Sequence, residues 1–165
     1  MTLPPRLSLA DSAAVFLATL GPVGRLPKAP GTWGSLAALA AAPWCFTPLP
    51  LAARLAVLGL VLALGTWAAA RAETALGRKD PGCVVVDELL GQWTAFLPFH
   101  LAGWTQAMPL ELFALFLLFR IYDILKPWPI RAVERGVPGG LGVMLDDLVA
   151  GAFAAASYAL FRPFF

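Results

Sequence analysis

The sequence predicts an all-α fold: a polytopic transmembrane helical bundle of about four or five membrane segments, with acidic motifs at cytoplasmic helix ends. Three observations carry this expectation. Of the 165 residues, 59% are hydrophobic and only 13% are charged, beyond the roughly 45–50% apolar content of soluble domains. The charges gather in short segments between long apolar stretches. The basic residues fall mostly on alternate connections, which is the asymmetry expected of a multi-spanning chain.

In chain order, residues Ser8 to Leu20 form a mildly amphipathic segment that Asp11 interrupts, unlike a cleavable leader. Trp33 to about Phe46 is apolar but short and contains Pro43. Leu51 to Ala70 is interrupted by Arg54 near one end. Leu89 to Trp104 carries no charge, and its Trp93, Trp104 and His100 suit the headgroup levels. Met108 to Leu125 has Glu111 near its start, and Leu148 to Phe161 runs from a pair of aspartates to Arg162 and Pro163. If Trp33 to Phe46 crosses, one side holds Arg25 and Lys28, then Arg71, Arg78 and Lys79, then Lys126, Arg131 and Arg135. Little beyond Arg54 and Arg162 remains opposite. That parity favours five crossings, one of them short, and assigns residues 71–88 and 126–146 to the cytoplasm. A single membrane domain then accounts for residues 1–165.

Four polar segments carry chemistry. Residues Gly21 to Ser35 contain four glycines and three prolines, with Arg25, Lys28, Thr32 and Ser35. Placed before a helix, such a turn offers free amides and a positive helix end to an anion. In the segment Asp80 to Gly91, Asp87 and Glu88 open an apolar helix. A carboxylate in the hydrocarbon centre costs about 2.5–3.5 kcal/mol, whereas at a helix start it also caps the dipole. Arg120, Asp123 and Lys126 recur every third residue, as in an ion-pair ladder or a site for metal and phosphate together. In Gly139 to Gly151, three glycines permit a tight return before Asp146 and Asp147 start the last helix. Five carboxylates at three helix ends would repel one another, and a hard cation removes the conflict. An oxygen-only donor set selects Mg²⁺ or Mn²⁺.

Other chemistries drop out. A net charge of +2 without a basic and aromatic stripe argues against nucleic acid. His100, the sole histidine, falls at the far side from the acids. Cys45 and Cys83 lack a CxxC partner and read as buried small apolar side chains. Neither precedes an arginine at the offset of a cysteine phosphatase, since they lead to Leu51 and Leu89. No Gly-x-Ser-x-Gly elbow and no nucleotide-binding P-loop is present. Metal-assisted phosphoryl transfer to water remains, with Arg120, Lys126 and Lys28 offsetting charge on the phosphoryl oxygens. An aspartyl-phosphate route is a second course for the same residues. The rival from another class is a small cation-binding transporter, which intramembrane carboxylates also suit.

The motifs Gly21-x-x-Gly24-x-x-Pro27-x-Ala-Pro-Gly-Thr-x-Gly-Ser-Leu36, Val84-Val85-x-Asp87-Glu88-x-x-Gly91, Phe119-Arg-x-x-Asp123-x-x-Lys126-Pro-x-Pro129 and Gly139-Gly-x-Gly-x-Met-x-Asp146-Asp147-x-x-Ala-Gly151 occur in this order. From about Phe16 to Gly151 the chain resembles the bacterial phosphatidylglycerophosphatase A family. The resemblance implies Mg²⁺-dependent removal of the terminal phosphate of phosphatidylglycerophosphate, leaving phosphatidylglycerol, at the cytoplasmic face of the inner membrane. It implies Asp87, Glu88, Asp123, Asp146 and Asp147 as metal and catalytic residues. Arg120 and Lys126 join them, with Thr32 and Ser35 from the first loop. Val86 stands where a large side chain is expected, and Glu134 where an aspartate is common. Both departures bear on substrate fit.

Overall fold

The computed structural model describes residues 7–98 and 108–162, and among them every regular element is helical. The helices are α1 (Leu9–Ala18), α2 (Pro30–Cys45), α3 (Leu51–Leu76), α4 (Val86–Ala95), α5 (Met108–Leu125), α6 (Ile130–Gly136) and α7 (Gly139–Phe161). Local chemistry sets several of their ends. Ser8 caps α1, its hydroxyl accepting from the Asp11 amide at 3.1 Å. Pro30 occupies the first turn of α2, where its missing N–H costs nothing. Gly77, left-handed at φ 61°, ends α3.

Among the described residues two helices are long and apolar enough to cross a membrane, α3 and α7. With 26 and 23 residues they extend about 39 and 34 Å at 1.5 Å per residue, against a hydrocarbon core of about 30 Å. Only 22% of the apolar window of α3 is buried, which is too little for the core helix of a soluble protein. From Gly65 onward its buried positions are small, Gly65, Ala68, Ala69 and Ala72, while Leu55, Leu60, Leu64 and Trp67 point outward. Small inside and large outside is how helices pack where lipid is the solvent. The outer face of α5 repeats this with Phe113, Leu117, Ile121 and Leu125. However, α5 also carries Glu111, Arg120 and Asp123, and α2 has only 16 residues. The predicted segment from Leu89 to Trp104 is helical as α4 to Ala95, while His100 and Trp104 lie outside the described residues.

The last helix departs from expectation. It begins at Gly139, so Asp146 and Asp147 lie in its third turn and not at its start. Three glycines read locally as a return, yet packing overrides that tendency. A Cβ on Gly140 would stand 2.3 Å from the Thr66 carbonyl oxygen of α3, so the glycine lets α7 lie directly on α3. The cysteines also differ: Cys45 is exposed and Cys83 only half-buried, since Cys45 sits at the outward end of α2.

Helix α7 is the axis of the fold, packing against α3, α4, α5 and α6, while α2 covers α4 and α1 covers α3. Its tightest meeting is with α4. A Cβ on Gly151 would approach the Gly91 carbonyl oxygen to 2.2 Å, and one on Gly91 would approach that of Asp147 to 2.7 Å. The two backbones therefore approach closely, and the Phe119 ring of α5 also packs on Gly91, 2.4 Å from where its Cβ would stand. At the opposite end, the buried Arg54 donates to the carbonyls of Leu49, Thr47 and Leu97, tying the α2–α3 turn to the segment after α4. Replacing Gly151 by Ala should destabilise the protein by about 1–3 kcal/mol through overpacking. Gly59→Ala, where the added methyl meets nothing within 4 Å, should be neutral or stabilising; thermal unfolding in detergent compares the two, and equal midpoints would refute the close contact.

Candidate metal centre and phosphate wall

The α4–α7 crossing places the acids. Asp87 lies one helical turn before Gly91, and Asp147 one turn before Gly151, so helices that touch at the glycines bring these carboxylates face to face. Asp87, Glu88 and Asp147 each offer an oxygen, and the three lie within 4.8 Å of one another. Asp87 Oδ1, Glu88 Oε2 and Asp147 Oδ2 are enclosed and make no hydrogen bond. Both amide atoms of the buried Gln92, one turn along from Glu88, are likewise unpartnered. An enclosed acceptor without a donor costs about 1–3 kcal/mol, and more if charged.

Cations reach the cluster from two sides. Arg120, in the last turns of α5, pairs with Asp123 at 2.6 Å. It also donates to Ser35 Oγ at 3.3 Å and, at the limit of a hydrogen bond, to Thr32 Oγ1 at 3.5 Å. These hydroxyls belong to the first turns of α2, which close tightly on the acids: a Cβ on Gly31 would fall 2.0 Å from Glu88 Oε1. On the other side, Lys126 Nζ bonds Asp146 Oδ2 at 2.6 Å and Glu134 Oε1 at 2.7 Å. Burial works against this ammonium, but the two carboxylates outweigh it and hold its pKa above the usual lysine range. Asp146 is held further by its Oδ1, which accepts from the Asp147 amide at 3.1 Å.

All five sequence-predicted carboxylates line one cavity of about 620 Å³, together with Lys126. Thr32, Ser35 and Arg120 adjoin it behind Glu88 and Asp123 without lining it. Lys28 is exposed, left-handed at φ 62°, and not part of the lining. Of the ion-pair ladder that the spacing of Arg120, Asp123 and Lys126 offered as an alternative, only the first pair forms. The helix ends at Leu125, and Lys126, left-handed at φ 43°, turns away to Asp146 and Glu134. Sequence reasoning missed Glu73, Lys79, Asp80 and Arg135 as cavity residues. Their only signal was membership of the charged connections. Glu134, noted as a departure beside the cluster, is a direct partner of its lysine.

Comparison with known proteins gives the family of the chain. The profile of the family described as Phosphatidylglycerophosphatase A matches residues 16–162. The chain is 37% identical over 134 residues to phosphatidylglycerophosphatase A of Escherichia coli, covering 80% of this chain and 73% of the relative. The counterpart in Haemophilus influenzae is 33% identical, over 79% of this chain and 77% of the relative. A Bacteroides thetaiotaomicron protein, named as a candidate phosphatidylinositol-3-phosphatase, is 39% identical over 84% of this chain and 87% of its own length. No solved structure gives a significant match. With the family profile spanning nearly the whole chain and two named relatives at 33% and 37% identity, the chain belongs to the phosphatidylglycerophosphatase A family.

Proposed function

We propose that the protein is a Mg²⁺-dependent lipid phosphatase that hydrolyses the terminal phosphate of phosphatidylglycerophosphate, leaving phosphatidylglycerol. The observation that carries this reading is the trio of enclosed, unpartnered carboxylate oxygens beside a wall of cations, in a chain of this family. Those orphaned oxygens fit a hard divalent ion, and Asp87, Glu88 and Asp147 would hold it. When bound, Mg²⁺ neutralises phosphate oxygens and lowers the pKa of water. The remaining roles belong to the protein. Lys126 and Arg120, each already fixed by a carboxylate, offset charge on the phosphoryl oxygens as the bond to the leaving alcohol lengthens. Asp123 or Asp146 orients the attacking water and takes its one proton, which is then given to the departing alkoxide oxygen. Thr32 and Ser35 hold Arg120 in place from α2.

In the membrane, we place α2 and the segment beginning with α4 as crossings alongside α3, α5 and α7. The cavity then faces the cytoplasm at the inner membrane. The basic connections support this sidedness. A second substrate, a phosphorylated phosphatidylinositol, is favoured by the Bacteroides relative; both lipids present a phosphomonoester beyond a phosphodiester, so the same wall serves either.

Purified protein in detergent should release inorganic phosphate from phosphatidylglycerophosphate with Mg²⁺ and stop with EDTA. Asp147→Asn should lower kcat by at least about a hundredfold. Ion flux in proteoliposomes without phosphate release would instead establish the transporter alternative, and a higher kcat/KM on phosphatidylinositol 3-phosphate would reassign the substrate. Excess Mg²⁺ should raise the unfolding midpoint of the wild type, with about 2.7 kcal/mol of stabilisation at a hundredfold excess over Kd. Asp87→Asn should abolish that rise, and a persisting rise would remove Asp87 from the metal site. With Cys83 replaced by Ser, Cys45 should be labelled only from the periplasm; with Cys45 replaced as well, Lys28→Cys should be labelled only from the cytoplasm. Labelling of both from one face would overturn the crossing of α2.

A further inference from the structure

Beside the acidic cavity lies a second one of about 530 Å³, lined by Leu125, Pro127, Trp128, Ala132, Arg131 and Arg135, with Lys126. Its chemistry is the inverse of its neighbour's: three cations, an apolar floor and no carboxylate in the lining. Arg131 and Arg135 are four residues apart on α6 and so share one helical face. Arg131 is anchored, its Nη2 donating to the Leu125 carbonyl at 3.2 Å, where α5 ends. Among the described residues Arg135 makes no hydrogen bond or ion pair. Lys126 and Arg135 line both cavities, so the two meet across this pair of cations. The outer lip is apolar. Trp128 is 82% exposed and flanked by the exposed Ile124 and Leu125, the kind of residues that sit at the headgroup level of a bilayer.

A basic groove open to lipid on one side and to a phosphatase cavity on the other suits one ligand class. A phospholipid whose head group ends in a phosphomonoester carries a second anion, the phosphodiester, one short alcohol linker away and attached to the acyl chains. We propose that Arg131 and Arg135 bind the phosphodiester of the same substrate molecule whose terminal phosphate occupies the acidic cavity. Trp128 and Leu125 receive the start of its diacylglycerol portion. This rests on the phosphatase reading of the acidic cavity and deepens it. Planar guanidinium groups suit non-bridging phosphate oxygens, which they bind through paired N–H donors. The groove then makes the enzyme select lipids with two phosphorus centres over phosphatidate, whose only phosphate is its monoester.

The test uses the full-length protein in nonionic detergent micelles, which contain no bulk anionic lipid. Relative to wild type, Arg131→Ala/Arg135→Ala should raise the KM for phosphatidylglycerophosphate about tenfold while kcat changes far less. The Lys/Lys variant should recover only part of the loss. A binding measurement separates this idea from the reading it rests on. Phosphatidylglycerol with brominated acyl chains retains the phosphodiester and needs no turnover. It should quench a tryptophan signal that Trp128→Phe removes, with a midpoint about tenfold higher in the double Ala variant. Unchanged KM and unchanged quenching would overturn the groove assignment even in an active phosphatase. A shifted quenching midpoint in a protein that releases no phosphate would sustain the groove and sink the phosphatase reading. A loss seen only in phosphatidylcholine vesicles doped with phosphatidylserine, and not in micelles, would assign the arginines to bulk lipid and reject the proposal.

Discussion

The site depends on the contact between two glycines. Where Gly91 of α4 and Gly151 of α7 meet, the Gly91 carbonyl occupies the space that a Cβ on Gly151 would need, while the Phe119 ring and the Asp147 carbonyl fill that of a Cβ on Gly91. The acids lie one turn away on both helices, so the depth of this contact sets the distance between Asp87 and Asp147. Any side chain at the crossing would wedge the helices apart and spread the carboxylates. Packing in lipid gains nothing from hiding apolar surface, so close backbone approach is the main attraction left. The fold uses it where the like charges of Asp87 and Asp147 push α4 and α7 apart.

That opposition explains the surrounding wall. Three carboxylate oxygens with no donor are an electrostatic cost that packing must carry when no cation is bound. Around them, Arg120 and Lys126 neutralise Asp123 and Asp146. The charges are thus sorted, with acids at the centre left unpaired and acids at the margin given permanent partners. The same sorting continues outward to the groove of α6, where cations stand without acids in the lining. From the bundle axis toward the lipid, the lining passes from unpaired acids, through ion pairs, to arginines with no carboxylate partner.

Much of this was legible in the sequence, for a physical reason. In a chain that is 59% hydrophobic, a carboxylate is costly enough to stand out, and all five predicted acids line the same cavity. What stayed hidden was set by tertiary contact. The glycines from Gly139 read as a turn because isolated glycine disfavours helix, yet Gly140 packs on α3 and α7 starts there. Lys126 read as the third rung of a ladder because spacing cannot reveal a left-handed residue past a helix end. Arg131 and Arg135 served only to orient the chain, since two arginines on a short helix give no sign that an apolar floor lies under them. Lys28 looked equivalent to Lys126 by composition, but its turn leaves it in the open.

The order in which the acids leave the ribosome adds a consequence. Asp87 and Glu88 emerge early, whereas Asp147 and the glycine that seats it belong to the last helix. Until α7 packs against α4, the cluster lacks Asp147 and its two earlier acids have no partner across the crossing. A chain cut short before α7 therefore cannot assemble the three-carboxylate cluster, however well its earlier helices fold.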